Sequence, residues 1–396
     1  MRKWLISLFL PLRRFLPTPL LLPLLLPCLA AAQGASPIQI VFTSDVHFGI
    51  NRRAFGGDSN VRSADVNARL VAAINRLPNL RLPADGGVSA GDTVGPIGFV
   101  MISGDIANRE ENGIQSASDS WEEFRRDWLE GITLRDQRNT PAAFLLVPGN
   151  HDLSDAVGFY RPMKPATDPA SMVGIYNLMM RPAVPLTAKD FRFPADKVNY
   201  SRNIGGICFL FITIWPDSGN RVWMEKELSR QSPATPVVIV AHDPPEGDAA
   251  HFVNPNGKHD INPHDRFENL LEERYKDPAV STGEDGKPNG DRIEQLGFAA
   301  FLKAHPNIRA YFHGHNNWNE FYTYRGPDDD LSLPVFRADS PMKGKESGKD
   351  ERRLSFQLIS IDPATRRLTA RECRWDPDPS HPGAAPVWGG SRTLQL

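Results

Sequence analysis

A chain of 396 residues with 40% hydrophobic and 23% charged residues has an ordinary globular composition, long enough for one large domain or two to three small ones. Its net charge of −2 gives no basis for a polyanion-binding surface, so a nucleic-acid scaffold is not expected. The elements fall as follows.

Arg2, Lys3, Arg13 and Arg14 precede an apolar run, Leu20 to Leu26, broken by Pro23; Ala30-Ala31-Ala32 then offers small residues for cleavage. Residues 1–34 are therefore expected to be a signal peptide, and the mature protein exported to the periplasm or beyond. The run is short and Pro-rich for a membrane span, and no span is expected once it is removed. Pro27 before Cys28 argues against lipid attachment. Cys208 lies in an apolar run, where a buried free thiol is expected.

Ile38 to Ser44 reads as a strand ending at Asp45-Val46-His47. Ser63 is expected to cap a helix carrying Val66, Leu70, Ile74 and Leu77 at helical spacing. Pro83 to Gly95 reads as a loop, and Ile97 to Ile102 as a strand ending at Ser103-Gly104-Asp105. Trp121 to Leu129 should be an amphipathic helix capped by Ser118 or Ser120. Ala142 to Val147 is a third strand, stopped by Pro148-Gly149 and followed at once by Asn150-His151-Asp152.

Met172 to Met180 reads as a helix, Ile207 to Ile214 as a strand, and Val222 to Ser229 as a helix. Pro236 to Val240 is a strand ending at Ala241-His242-Asp243. The polar stretch Pro244 to Gly290 carries His251, His259 and His264 and one expected helix, Phe267 to Tyr275. It is either a cap over a pocket or a solvated loop, and the loop is the simpler reading for each histidine. Helix Ile293 to Ala304 and strand Ile308 to Phe312 lead to His313-Gly314-His315-Asn316-Asn317. Phe321 to Tyr324, Pro334 to Arg337, Phe356 to Ile361 and Leu368 to Cys373 are further strands; the alternating aromatics Phe321, Tyr322 and Tyr324, with Trp318, read as packing. Residues 376–396, rich in Pro and Gly, read as a loose tail, leaving 35–375 as one catalytic domain of α/β class.

Unlike polar residues thus follow apolar strands repeatedly: Asp45-x-His47, Gly104-Asp105, Gly149-Asn150-His151-Asp152, His242, and His313-Gly314-His315-Asn316-Asn317. Open α/β sheets place ligands beyond the carboxyl ends of their strands. Carboxylate, imidazole and amide oxygen are ligands for divalent manganese, iron or zinc, and no thiolate stands among them. Each piece alone is weak, since Gly-Asp is a common turn and a lone His is more often a satisfied imidazole.

Together they resemble the calcineurin-like metallophosphoesterases, the superfamily that includes purple acid phosphatases and acid sphingomyelinase. That family's pattern is Asp-x-His, Gly-Asp, Gly-Asn-His-(Asp/Glu), a lone His, then Gly-His-x-His, and the likeness spans about Ile38 to Tyr324. The resemblance implies a double β-sheet sandwich flanked by helices and two divalent metal ions of unknown identity. Asp45 and His47 would bind the first metal, Asp105 both, and Asn150 and His242 the second; the last motif would give one ligand to each. Two cations ~3.5–4 Å apart can grip a phosphate and turn a bridging water into hydroxide that attacks phosphorus in line. His151 would stabilise or protonate the leaving oxygen, and Asp152 would orient that imidazole.

Asn317 stands where the family has the second imidazole. Either His315 with Asn317 completes the site, or His313 and His315 shift into the role. The function implied is an exported metal-dependent phosphoric ester hydrolase acting on a small phosphomono- or diester. A weakened relative that binds phosphorylated ligands without rapid turnover is the alternative, supported by Asn317 alone. An amide hydrolase would want the His-Glu-x-x-His of zinc peptidases, which this chain lacks.

Overall fold

The computed structural model describes residues 36–107, 115–153, 169–192, 195–248, 251–252, 270–271, 292–381 and 383–396. Apolar runs too short for helices build its centre. In a first sheet, β1 (Ile38–Thr43), β4 (Phe99–Ile102) and β5 (Ala143–Leu146) run parallel. On the other side of β1, β12 (Ser355–Asp362), β13 (Arg367–Arg374) and β14 (Val387–Gln395) continue the sheet antiparallel, in the order β14-β13-β12-β1-β4-β5. A second sheet runs β10 (Glu320–Tyr324), β11 (Leu333–Arg337), β9 (Ile308–His313), β8 (Val237–Val240), β7 (Ile207–Phe211) and β6 (Tyr200–Ile204). Its four inner strands are parallel and its two outer ones antiparallel.

The parallel strands are nearly all apolar because both of their faces are covered. Val237 to Val240 and Ile207 to Phe211 are wholly buried. The sheets meet through side chains such as Phe42 and Phe312, whose rings stand edge to face 5.3 Å apart. Burying one such side chain is worth about 1.5–3 kcal/mol. Helices α1 (Ser63–Arg76), α2 (Ala117–Phe124), α3 (Asn150–Leu153), α4 (Ala170–Met180), α5 (Ser218–Leu228) and α6 (Arg292–Ala304) alternate with the strands. A mixed α/β fold of sheets flanked by helices results, and no helix among the described residues is long and apolar enough to cross a membrane. Cys208 and Cys373 are buried free thiols.

Several local expectations are corrected. Ser63 does not cap α1: its hydroxyl accepts the Gly49 N–H at 3.2 Å, and the cap residue Arg62 makes no side-chain capping bond. The cap of α2 is Ser116, accepting the Asp119 N–H at 3.1 Å, and the helix widens into a π turn at Arg125–Leu129. The hairpin of β2 (Asn51–Phe55) and β3 (Asp58–Arg62) was not foreseen, because its polar residues hide any alternation.

The segment read as a loose tail carries β14, paired along β13 with a bulge between Arg371 and Cys373. Its glycines admit a neighbour: a Cβ on Gly389 would lie 1.8 Å from Glu372 Oε2. The expected helix Phe267 to Tyr275 and the residues His259, His264 and 1–34 lie outside the described residues, apart from Leu270 and Leu271, which are buried and not helical. His251 is buried, not solvated.

Candidate metal centre

The strand ends converge because the loops beyond them continue the parallel pairing. The Asp45, His47 and Phe48 N–H groups donate to the Gly104, Asp105 and Ile106 carbonyls at 3.0, 3.0 and 2.9 Å. In the other sheet Gly314 N–H donates to His242 O at 3.1 Å. Turning side chains inward there needs a left-handed backbone, and Asp45, His47, Asp105, His315 and Asn317 all have φ between 41° and 65°. Asp, Asn and His tolerate that region better than most residues, at a cost on the order of 1–3 kcal/mol each. Close approach needs glycine as well: a Cβ on Gly314 would sit 1.8 Å from Ser44 Oγ and 2.3 Å from Asp45 Oδ2.

Among the described residues three sets of side chains lie close enough to hold a cation: Asp45, His47 and Asp105; Asp105, His242 and His315; and Asp243, His251 and His315. In the first, His47 Nε2 lies 3.6 Å from Asp45 Oδ1 and 3.6 Å from Asp105 Oδ2. In the second, His242 Nε2 lies 3.4 Å from the same Asp105 oxygen, 3.0 Å from Asn150 Oδ1 and 3.3 Å from His315 Nδ1. Asp105 belongs to the first two sets, and His315 to the second and third. The imidazole of His242 is aimed from behind by Ser103 O, 2.7 Å from Nδ1. That of His315 is held by Asp248 Oδ2, 2.7 Å from Nε2. Asp243, paired to His251 at 2.7 Å, lies 3.9 Å from His315 Nδ1.

His151 stands beside the first group, its ring 5.2 Å from that of His47 and its backbone N–H donating to Asp105 Oδ1 at 2.9 Å. Asp152 does not orient it. The Asp152 carboxylate accepts the N–H groups of Gly149, Ile106 and Ala107 at 2.9, 3.2 and 3.0 Å, and the Ser171 hydroxyl at 2.5 Å. It ties the loop after β5 to the loop after β4, a positioning role. The partner of His151 Nε2 is instead the Lys343 ammonium, at 3.1 Å.

His313 is not brought into any of the three sets. Strand β9 runs through it, and the ring turns aside, with Nε2 3.1 Å from Tyr322 Oη and Nδ1 2.9 Å from Gly314 O. Asn317 donates from Nδ2 to His315 O at 2.7 Å, and its Oδ1 is buried without a hydrogen-bond partner. The expected packing of the aromatics is mixed: Tyr324 is buried, whereas Trp318 carries the Arg337 guanidinium 3.5 Å and the Lys345 ammonium 4.2 Å from its ring centre.

The donor set fits divalent cations. Asp45 Oδ1, both His47 ring nitrogens and Asn317 Oδ1 are buried polar atoms without hydrogen-bond partners, a costly state unless something else satisfies them. Burial works against charge throughout, yet His242 above all holds the Asp105 carboxyl well below the ordinary carboxylate range. Against its own burial, His242 is raised to about 10, chiefly by Asp105, and His315 to about 9 by Asp243 and Asp248. These carboxylates hold positive charge beside them, and cation binding would displace protons from the imidazoles. Asp243, Asp248, Ser340 and Lys343 were not foreseen. Asp243 adjoins His242, but nothing local marks the others.

The calcineurin-like phosphoesterase family model matches residues 38–319. No curated protein matches the chain. Among solved structures it is similar to a dimetal phosphatase from Danio rerio, at 12% identity and TM-score 0.46 over 85% of this chain and 95% of that one. It is similar also to PhoD, at 11% identity and TM-score 0.45, covering 91% of this chain and 70% of that one. A phosphopantetheinyl hydrolase from Mycobacterium tuberculosis gives 13% identity and TM-score 0.33, covering 79% and 92% of the two chains. With the family model covering most of its length and the ligand groups in place, the chain belongs to the calcineurin-like phosphoesterase family.

Proposed function

We propose that this protein is an exported, metal-dependent hydrolase of phosphomono- or diesters, akin within its family to purple acid phosphatases or acid sphingomyelinase. The observation that carries the chemistry is Asp105, whose Oδ2 lies 3.6 Å from His47 Nε2 and 3.4 Å from His242 Nε2, so that one carboxylate serves two cation-sized groups. Asp45, His47, Asp105 and Asn317 would hold one cation, and Asp105, Asn150, His242 and His315 the other. When bound, such a pair polarises phosphoryl oxygens and lowers the pKa of a water.

The protein's own part is positioning and charge. Burial and then Lys343 hold His151 well below the ordinary histidine range, so its ring is neutral at neutral pH. Its Nε2 accepts from the Lys343 ammonium, which leaves the ring proton on Nδ1. That N–H can donate to the leaving-group oxygen. The Asp152 staple fixes the loop that carries it. The export reading is supported by Arg2, Lys3, the Leu20 to Leu26 run and Ala30 to Ala32.

The experiment is chelation followed by addition of manganese, iron or zinc, assayed on a panel of aryl phosphate mono- and diesters. Hydrolysis lost with the metal and restored by it is expected. Full activity in metal-free protein overturns the proposal. Phosphate binding without turnover in the reloaded protein would favour the weakened relative.

A further inference from the structure

We propose that Lys343 is a phosphate-contacting residue of this site, its ammonium and the His151 imidazole together gripping substrate oxygens from the protein side. The inference rests on the phosphoesterase reading above and assigns it a contact that none of the metal-binding motifs contains.

The loop Asp339 to Ser347 is built to hold this side chain still. Ser340 Oγ donates to Asp45 O at 2.8 Å and accepts the N–H groups of Met342 and Lys343 at 3.2 and 2.9 Å. The Lys345 N–H donates to Asn317 O at 2.6 Å. The buried guanidinium of Arg52, from the unforeseen hairpin, donates to Pro341 O at 2.6 Å and Ser347 O at 2.8 Å. Gly344 permits the tight wrap, since a Cβ there would lie 1.7 Å from Ser347 Oγ and 2.8 Å from Ser340 O. Lys343 is thus tied to the loop of Asp45 on one side and to that of Asn317 on the other. From there Nζ reaches His151 Nε2, 192 residues away in sequence, at 3.1 Å. The His151 ring lies in turn 5.2 Å from that of His47, which sets the ammonium one ring away from the first group.

An arriving phosphoryl group brings oxygens that carry the charge that develops further as phosphorus is attacked. A compact ammonium suits a phosphate oxygen as a point charge, and its effect is largest where water is excluded. No proton transfer by Lys343 is involved. It supplies charge at a fixed place.

The test uses the full chain loaded with manganese, with inorganic phosphate as the probe in calorimetric titration and an aryl phosphate for kinetics. Lys343→Met should keep its manganese, bind phosphate at least 10-fold more weakly, and lose about 10–100-fold in kcat/KM. Lys343→Gln, which retains a hydrogen bond to His151 without the charge, should behave like Lys343→Met, and Lys343→Arg should recover most of the phosphate affinity. Wild-type phosphate affinity in both neutral variants overturns the inference while leaving the proposed hydrolysis intact. Loss of manganese in the neutral variants also overturns it, by making Lys343 a support of the metal groups. A wild-type protein that hydrolyses no phosphoester yet binds phosphate through Lys343 overturns the function and leaves this contact standing.

Discussion

His315 presents Nδ1 3.3 Å from His242 Nε2 while its Nε2 is bound to Asp248 Oδ2 at 2.7 Å. A carboxylate behind a ligating imidazole fixes its tautomer and raises its basicity, and losing such a partner typically weakens metal binding about 10–100-fold. Asp248→Ala should therefore weaken one of two manganese equivalents by that factor and leave the other unchanged. Competition against a graded chelator measures both. Equal loss from the two sites, or none, would refute the role given to Asp248.

Ligand and acid–base roles separate at Asp105 and His151. Asp105→Asn should lose metal and activity together, because its Oδ2 faces both His47 and His242. His151→Ala should retain its metal and lose on the order of 10²–10⁴ in turnover, the usual range for acid–base help. Metal analysis beside a turnover assay distinguishes them. An emptied site in His151→Ala would make that residue a ligand.

The last motif allows a direct contest between His313 and Asn317. Both ring nitrogens of His313 are engaged, one near Tyr322 Oη and the other near Gly314 O. His313→Ala should leave metal content unchanged and cost about 1–3 kcal/mol of stability. Asn317→His should tighten the metal held by Asp45 and His47, since imidazole donates more strongly than an amide oxygen to borderline metals. Chelator titration and thermal melts read the two effects. One metal equivalent lost from His313→Ala, with Asn317→Ala like wild type, would reverse the assignment.

The strands that deliver the candidate ligands were legible because each is a burst of apolar residues followed closely by Asp, Asn or His, with Gly or Pro between them after β4, β5 and β9. Alternation of polar and apolar residues is a local property, and so is a ligand pair such as Asp45-x-His47. The residues that aim those ligands are not local. Asp152 was recognisable as part of the motif, but its partners Ile106 and Ser171 come from the loop after β4 and from helix α4, so its staple role could not be read beside His151. Lys343 reaches its partner across 192 residues, and no spacing rule records such a meeting. The β14 strand was hidden for another reason: Gly389 and Gly390 suggest a loose segment until the Glu372 carboxylate is seen to fill the space at Gly389 and accept the Gly390 N–H.

Export can be tested independently of chemistry. N-terminal sequencing of protein recovered from the native envelope should begin between about Ala32 and Ser36, as expected for cleavage after the small residues at 30–32. Recovery of protein still starting at Met1 in the cytoplasm would contradict the proposal.

The loop that carries Lys343 should also make stability depend on pH. Burial raises the Asp339 carboxyl to about 7, outweighing the Ser347 hydroxyl, the Ser340 and Ser355 N–H groups and the charge of Arg52, all of which lower it. In the unfolded chain the same group titrates near about 3.9. The folded state therefore holds this proton more tightly, and between roughly pH 4 and pH 7 it binds more protons than the unfolded state does. Stability from this group is present below about pH 4 and falls as pH rises toward 7, by an amount on the order of 3–4 kcal/mol in all. Asp339→Asn cannot ionise and should lose that slope. Denaturant unfolding of metal-free wild type and variant at pH 4.5 and pH 8 should show the variant gaining on wild type as pH rises. Parallel stability curves over that window would mean that Asp339 is ionised in the folded protein, held there by Arg52 and the serines that surround it.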